Sequence, residues 1–312
     1  MRESFGVIGL GAMGGAVIRN IAASQRHAVG FDLDPEKIKA ANADGIDTAT
    51  SVAALAEQVP VLITSLPKPQ AVIAVAKEIA ASKAKNLVVI EASTLSLDDK
   101  FEFQRILSEA GHTALDCTLS GTGAQAKRGD LAVYASGDEA LVESLRPLFA
   151  SFTRETHYVG TFGNGSRMKY VANLLVAIHN VAAAEAMVLG IKAGLDPQLV
   201  YELANAGAGQ SRMFEVRGPM MVRSRYTPAT MKNVVWKKDM DVIGAFADEI
   251  GVKVPVFRAT EPIYRAAIKD HPDEDTGAVC AVLERMGKVK RGKPAKARRA
   301  TRRKRRATRA RR

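Results

Sequence analysis

Cysteine is scarce, uninterrupted apolar runs are missing, and one stretch of this 312-residue chain has no acidic residue. The two cysteines, Cys117 and Cys280, lie far apart. That spacing offers no disulfide framework and no metal-spaced pair, and it fits a reducing cytoplasm. The longest mostly apolar stretch, 171–191, is broken by Asn173, His179, Asn180 and Glu185, which argues against a span of about 20 apolar residues. The sequence opens on a strand-like run, without the apolar core and cleavage site of a secretory signal. Acidic residues vanish from 288 to 312, where 15 basic ones stand. The formal net charge of +12 is therefore a sum of unlike parts. The first 287 residues carry 30 Lys and Arg against 33 Asp and Glu, a net of −3. A mildly acidic body argues against a basic nucleic-acid-binding fold.

What the chain does have is alternation. Short β-branched runs at 4–8, 27–31, 61–64, 87–90, 113–117 and 131–135 read as strands. Helical patterns at 12–24, 35–43, 69–81 and 97–110 separate them. This alternation implies an α/β fold, a doubly wound and mostly parallel sheet with helices on both faces, which binds ligands at the carboxyl ends of its strands. After Gly160 the pattern changes. About 30 residues without proline, ending at Ala193 before Gly194-x-x-Pro197, predict one long buried helix. Further helices are expected at 198–206, 233–250, 256–268 and 275–286. The chain thus divides into an α/β domain at 1–162, a helical domain at 163–287, and a basic tail at 288–312. The tail has too little apolar surface to fold and reads as disordered.

The first strand and helix flank Gly9-Leu10-Gly11-Ala12-Met13-Gly14. In a G-x-G-x-x-G of this setting, Gly9 permits the tight turn and Gly11 lets backbone amides approach a pyrophosphate. Gly14 allows the helix to pack closely on the strand. The helix start places its positive dipole end at the phosphates. Asp32 follows the second strand, 18 residues after Gly14, where a carboxylate accepts from a ribose 2′-hydroxyl and repels a 2′-phosphate. No arginine follows it, so NAD is favoured, with NADP the alternative. Asp34, before Pro35, reads as a helix cap.

These motifs, with four more in order, resemble the β-hydroxyacid dehydrogenases, the family of the 3-hydroxyisobutyrate, tartronate semialdehyde and L-threonate enzymes. Ser65-Leu66-Pro67 is similar to the family's segment after the fourth strand, and Glu91-Ala92-Ser93-Thr94 to its Asp-x-Ser-Thr. Asp116 through Gly121, then Gly129-Asp130-Leu131, resembles the substrate-binding block. The run Gly160-x-x-Gly163-x-Gly165-x-x-x-Lys169-x-x-x-Asn173 resembles the catalytic one, and Lys238-Asp239 and Asp275 extend the likeness. The resemblance implies a Rossmann-type domain followed by an all-helical one, as in 6-phosphogluconate dehydrogenase. It implies hydride transfer between a nicotinamide cofactor and a short 3-hydroxy acid, in a homodimer or tetramer. Lys169 would be the general acid/base and Asn173 would orient the substrate. Ser120, Gly121 and Thr122 would hold the substrate carboxylate. Gly9, Gly11, Ala12, Met13, Gly14, Asp32, Leu66, Pro67, Thr94 and Lys238 would bind the cofactor, and no metal is expected.

The residues permit that chemistry. Lys169 and Asn173 are four apart on a helix and so share a face; burial would lower the lysine pKa as a base requires. Other readings compete at several positions. Ser93 or Thr94 could cap the helix that follows, Lys238 could be a solvated charge beside Lys237, and Asp275 reads better as a cap than a reactant. Cys117 reads as a small buried hydrophobe. Two positions depart from the family: Thr118-Leu119-Ser120 lacks its proline, and Leu174 stands where a second asparagine is common. Both put the substrate's identity, rather than the reaction, in question. The tail reads as a solvated extension, or as a source of non-specific polyanion contact. A competing function is therefore a nucleic-acid-associated protein whose Rossmann body only senses a dinucleotide.

Overall fold

The structure is a computed structural model that describes residues 4–289 and 291. Eight strands form one sheet: β1 (Ser4–Ile8), β2 (His27–Phe31), β3 (Asp47–Thr48), β4 (Val61–Thr64), β5 (Val88–Glu91), β6 (Thr113–Ser120), β7 (Leu131–Ser136) and β8 (Thr153–Tyr158). Their order is β3-β2-β1-β4-β5-β6-β7-β8, parallel except where β7 runs against β6. The order reverses between β1 and β4, the point at which such sheets open a ligand crevice. Helices α1 (Gly14–Ala23), α2 (Pro35–Ala43), α3 (Val52–Ala56), α4 (Pro69–Ala81), α5 (Leu97–Glu109), α6 (Gly123–Ala126), α7 (Glu139–Ser144) and α8 (Arg146–Phe149) accompany the sheet. Buried aliphatics form a separate core on each face of it, one around Val7, Ile21 and Ile63, the other around Leu62, Val89 and Phe103. This follows from central strands such as Val61-Leu62-Ile63 and Val88-Val89-Ile90, whose consecutive apolar residues suit a sheet covered on both sides.

The second half is helical: α9 (Asn164–Lys192), α10 (Pro197–Ala206), α11 (Arg212–Arg223), α12 (Asn233–Glu249), α13 (Pro255–Asp270), a 3₁₀ turn at Thr276–Ala278, and α14 (Val279–Met286). By length and composition alone α9 could cross a membrane, with a mean hydropathy of 1.8 over an 18-residue window. It instead packs against β6, β7 and every helix after it, with Lys169, Asn173 and Asn180 buried along it. It is the core helix joining the two halves.

Several elements escape the sequence pattern, among them the short helices α3, α6, α7 and α8. The two-residue β3 is too short to show a period. Strand β8 reads Thr-Arg-Glu-Thr-His-Tyr, polar because it lies at the sheet's edge with one neighbour. Helix α11 holds Gly218-Pro219 inside it, a pair that normally breaks helices. Here Tyr201 supplies the remedy. A Cβ at residue 218 would meet the Tyr201 ring at 2.4 Å, so glycine lets that ring lie against the helix. The Tyr201 hydroxyl donates to the Glu215 carbonyl (3.2 Å), the group that residue 219 cannot reach without an N–H. The expected disordered tail needs one correction. Residues 290 and 292–312 lie outside the described residues, but Arg291 is docked on the body. Its guanidinium donates to the Val222 carbonyl at 2.6 Å and to Glu284 at 2.8 Å, closing the last turn of α11.

Candidate active site

The glycine turn after β1 is built as its motif requires. Gly9 has φ +91°, and a Cβ there would meet the Ser65 carbonyl at 2.3 Å; one at Gly14 would meet the Gly9 carbonyl at 1.9 Å. A Cβ at Gly11 would meet nothing, so glycine at this position leaves space above the turn and fills no packing need. The Ala12 and Met13 amides there have no backbone acceptor among the described residues. The turn, its open side and the α1 N-terminus fit a pyrophosphate. Asp32 braces the same turn: one carboxylate oxygen accepts from Leu10 N (2.6 Å), the other from Asp34 N (2.9 Å). Each oxygen retains a lone pair for a ribose hydroxyl. Asp34 caps α2 through Glu36 N.

Beside this turn lies a cleft of about 560 Å³ between the strand ends and the helical half. Met13, Leu66 and Thr94 line it from the cofactor side, and Ser120, Gly121 and Thr122 from the end of β6. Lys169, Asn173 and Lys238 close it from α9 and α12. Pro67 is not among the lining residues; it follows Leu66, whose N–H donates to Ser93 Oγ at 2.9 Å. That bond engages Ser93, and Ser96 caps α5, so neither Ser93 nor Thr94 is the helix cap.

Lys169 is 8% exposed, and burial pushes its ammonium below the ordinary lysine value. Asp239 opposes that shift and Lys238 adds to it. No described side chain makes a hydrogen bond or an ion pair with Lys169, which leaves its Nζ to the cleft. One turn on, the Asn173 amide donates to Asp239 Oδ2 (3.0 Å). Its carbonyl is thereby turned to other donors. Lys238 spans the cleft and donates to the Thr94 carbonyl, unlike Lys237, which pairs with exposed Asp241.

Two members of the β6 block have other duties. Both the amide and the hydroxyl of Thr122 are engaged by the Gln125 side chain in a capping box on α6. Asp116 is fully buried and faces the start of α9 rather than the cleft. Asp275 accepts from Gly277 N, as a cap does, and also pairs with buried Arg217. Burial pushes the Cys117 thiol up, so it is an inert core group. Among the described residues no cluster could hold a metal ion. Arg212, Met213 and Trp236 also line the cleft; α11 was not foreseen, and nothing in the spacing marks Trp236.

Comparison with known proteins agrees with this architecture. Residues 4–160 match the model of the NAD binding domain of 6-phosphogluconate dehydrogenase. Residues 163–283 match the NAD-binding model of NADP-dependent 3-hydroxyisobutyrate dehydrogenase. The L-threonate dehydrogenase of Cupriavidus necator is 30% identical over 288 residues, 91% of this chain and 97% of that protein. The 2-hydroxy-3-oxopropionate reductase of Escherichia coli is 26% identical across 91% of this chain and 98% of its own. The 3-hydroxyisobutyrate dehydrogenase of Mycobacterium tuberculosis, in its structure with L-serine, superposes with a TM-score of 0.83 at 25% identity. That superposition covers 91% of this chain and 99% of the other. With a nicotinamide-type turn, a helical half joined through α9 and a buried lysine in the cleft between them, the chain belongs to the β-hydroxyacid dehydrogenase family, nicotinamide-dependent oxidoreductases of short hydroxy acids.

Proposed function

We propose that the protein interconverts a short 3-hydroxy acid and its oxo form, with NAD as the preferred cofactor and Lys169 as the acid/base group. The observation that carries this reading is the Lys169 Nζ: buried, depressed in pKa and uncommitted, in a cleft bounded by the cofactor turn and the end of β6. A bound nicotinamide supplies the hydride acceptor. The chain's own residues supply the rest. Unprotonated Lys169 accepts the substrate hydroxyl proton and returns it in the reverse direction. Asn173, held by Asp239 through one amide N–H, orients the substrate by offering its second N–H to the same oxygen. Ser120 and the Gly121 amide, which line the cleft, take the carboxylate, while Thr122 caps the short helix that follows them. Lys238, fastened to the Thr94 carbonyl, shields the cleft from water.

Homodimer or tetramer formation belongs to this reading. Its support is α10, which buries none of its residues in the monomer, while Leu195, Leu199 and Leu203 recur exposed at every fourth position. A cytoplasmic location is supported by two cysteines that remain free thiols. The test is a steady-state screen of 3-hydroxyisobutyrate, glycerate and threonate, with NAD and NADP in parallel, for the full chain and for Lys169→Ala. At least one acid should be oxidised. The variant should keep cofactor affinity while turnover falls by about two orders of magnitude or more. Turnover near that of the parent would remove Lys169 from the mechanism.

A further inference from the structure

Below the cleft floor lies an ionic cluster that the chemistry just described does not use. Lys100, from α5, is fully buried, as are Glu91 at the end of β5 and Asp116 in β6. The Lys100 Nζ donates to Asp116 Oδ1 at 2.8 Å and pairs with the Glu91 carboxylate. Asp116 Oδ2 accepts from the Ser166 backbone N–H (2.7 Å), and its Oδ1 from the Ser166 hydroxyl (3.0 Å). Ser166 lies in the first turn of α9, one turn before Lys169. Two more bonds fix the same turn: Gly165 N–H to Ser136 Oγ (3.0 Å) and Thr118 Oγ1 to the Gly165 carbonyl (2.8 Å). The contact is close enough that a Cβ at residue 165 would sit 2.5 Å from the Asp116 carbonyl oxygen.

We propose that Lys100 is a positioning residue: by holding Asp116 against Ser166, it fixes the first turn of α9 and thereby the place of Lys169 in the cleft. The inference rests on the catalytic reading above. Energetics favour a role in placement over one in bulk stability. A buried ion pair is expensive to desolvate, and an apolar cluster of similar volume is often as stable. What charge adds here is geometry. Two carboxylates against one ammonium leave a formal negative excess beside the α9 N-terminus, where the helix dipole favours it. Burial opposes the Lys100 charge, but Asp116 and Glu91 more than offset this and keep the ammonium protonated. Besides these two carboxylates, Tyr170 of α9 and the buried Cys117 thiol of β6 are titratable side chains that feel the cluster's charge. Lys169 faces Asp239 and Lys238 of α12 instead. Lys100 therefore acts on Lys169 through the helix and not through direct charge.

Two variants test this: Lys100→Met, and Lys100→Met combined with Glu91→Gln, which removes the strut while keeping the formal charge of the cluster. In both, kcat should fall about tenfold or more, as for a reacting group displaced by a fraction of an ångström, with cofactor affinity changing far less. A second readout is free of turnover. After reductive ¹³C-methylation, the Lys169 resonance (assigned with Lys169→Arg) should titrate nearer the ordinary lysine range, because a displaced Lys169 is less buried. Unchanged titration in folded variants overturns the proposal, whether or not a hydroxy acid substrate has been found. Should both variants fail to fold, Ser166→Ala removes only the hydroxyl tie to Asp116. It should move the same two readouts in the same direction, and no movement would again refute the idea.

Discussion

Replacement of Asp32 by alanine should separate the two nicotinamide cofactors. In the protein the carboxylate holds the glycine turn through Leu10 N and Asp34 N. Its loss frees the part-buried Leu10 amide, a cost of about 1–3 kcal/mol borne equally with either cofactor. NAD also loses a hydroxyl-to-carboxylate hydrogen bond worth about 1.5–3 kcal/mol. NADP loses no such bond, because its 2′-phosphate was repelled by the carboxylate. The NAD-over-NADP preference should therefore drop by about 10- to 150-fold, with 1.4 kcal/mol per factor of ten. Relief of repulsion enlarges that figure. Asp32→Asn is the control: its amide oxygen can still accept from Leu10 N, so the turn survives while the charge is gone. Titration calorimetry of both cofactors against all three proteins reads the ratio directly. An equal loss for NAD and NADP in Asp32→Ala would show that the carboxylate only braces the turn, and the proposed ribose contact would fall.

The acid/base reading gives a pH dependence of definite sign. Oxidation needs unprotonated Lys169, so kcat/KM for the alcohol should rise with pH through the lysine's pKa, and reduction should fall through the same limb. Burial and then Lys238 lower that pKa while Asp239 raises it; Asp239→Asn should move the limb to lower pH and Lys238→Met to higher pH. A limb indifferent to both belongs to another group. For stability, Asp275 is the sensitive point, since its two oxygens take five donors from Arg217, Thr230, Met231 and Gly277. An amide presents only one acceptor oxygen, so Asp275→Asn should cost about 3–5 kcal/mol in urea unfolding. Burial alone would raise this carboxyl's pKa; Arg217 and the backbone donors more than offset that and hold it low. The carboxylate's contribution is thus present above the ordinary carboxylate range and lost as pH falls through the folded value. A wild-type minus variant difference that stays flat through acid pH would contradict it.

The parts of this molecule legible in the sequence are those where one short segment does the whole task. The turn from Gly9 to Gly14 is such a segment, since its glycines, its strand and its helix are contiguous. Lys169 and Asn173 are also local, one helical turn apart. What stayed hidden depends on partners distant in sequence. No local pattern announces that Tyr201 can make Gly218-Pro219 acceptable inside a helix. Thr122 looked available for substrate until Gln125 was seen to occupy both its polar groups. Lys100 is one of several charged residues in α5, and only the sheet order brings it between Glu91 and Asp116. Strand β8 is polar because it sits at an edge, a matter of topology rather than composition.

The clamp at the start of α9 also makes that helix a lever with its fulcrum beside Lys169. Lys169 lies three residues past Ser166, about 4.5 Å along the axis, whereas Lys192 lies about 39 Å beyond it. A swing of about 5° around the clamp would carry the far end roughly 3.4 Å but move the lysine's backbone only about 0.4 Å. Any such swing of the helical half about the clamp would therefore leave the backbone of Lys169 nearly still.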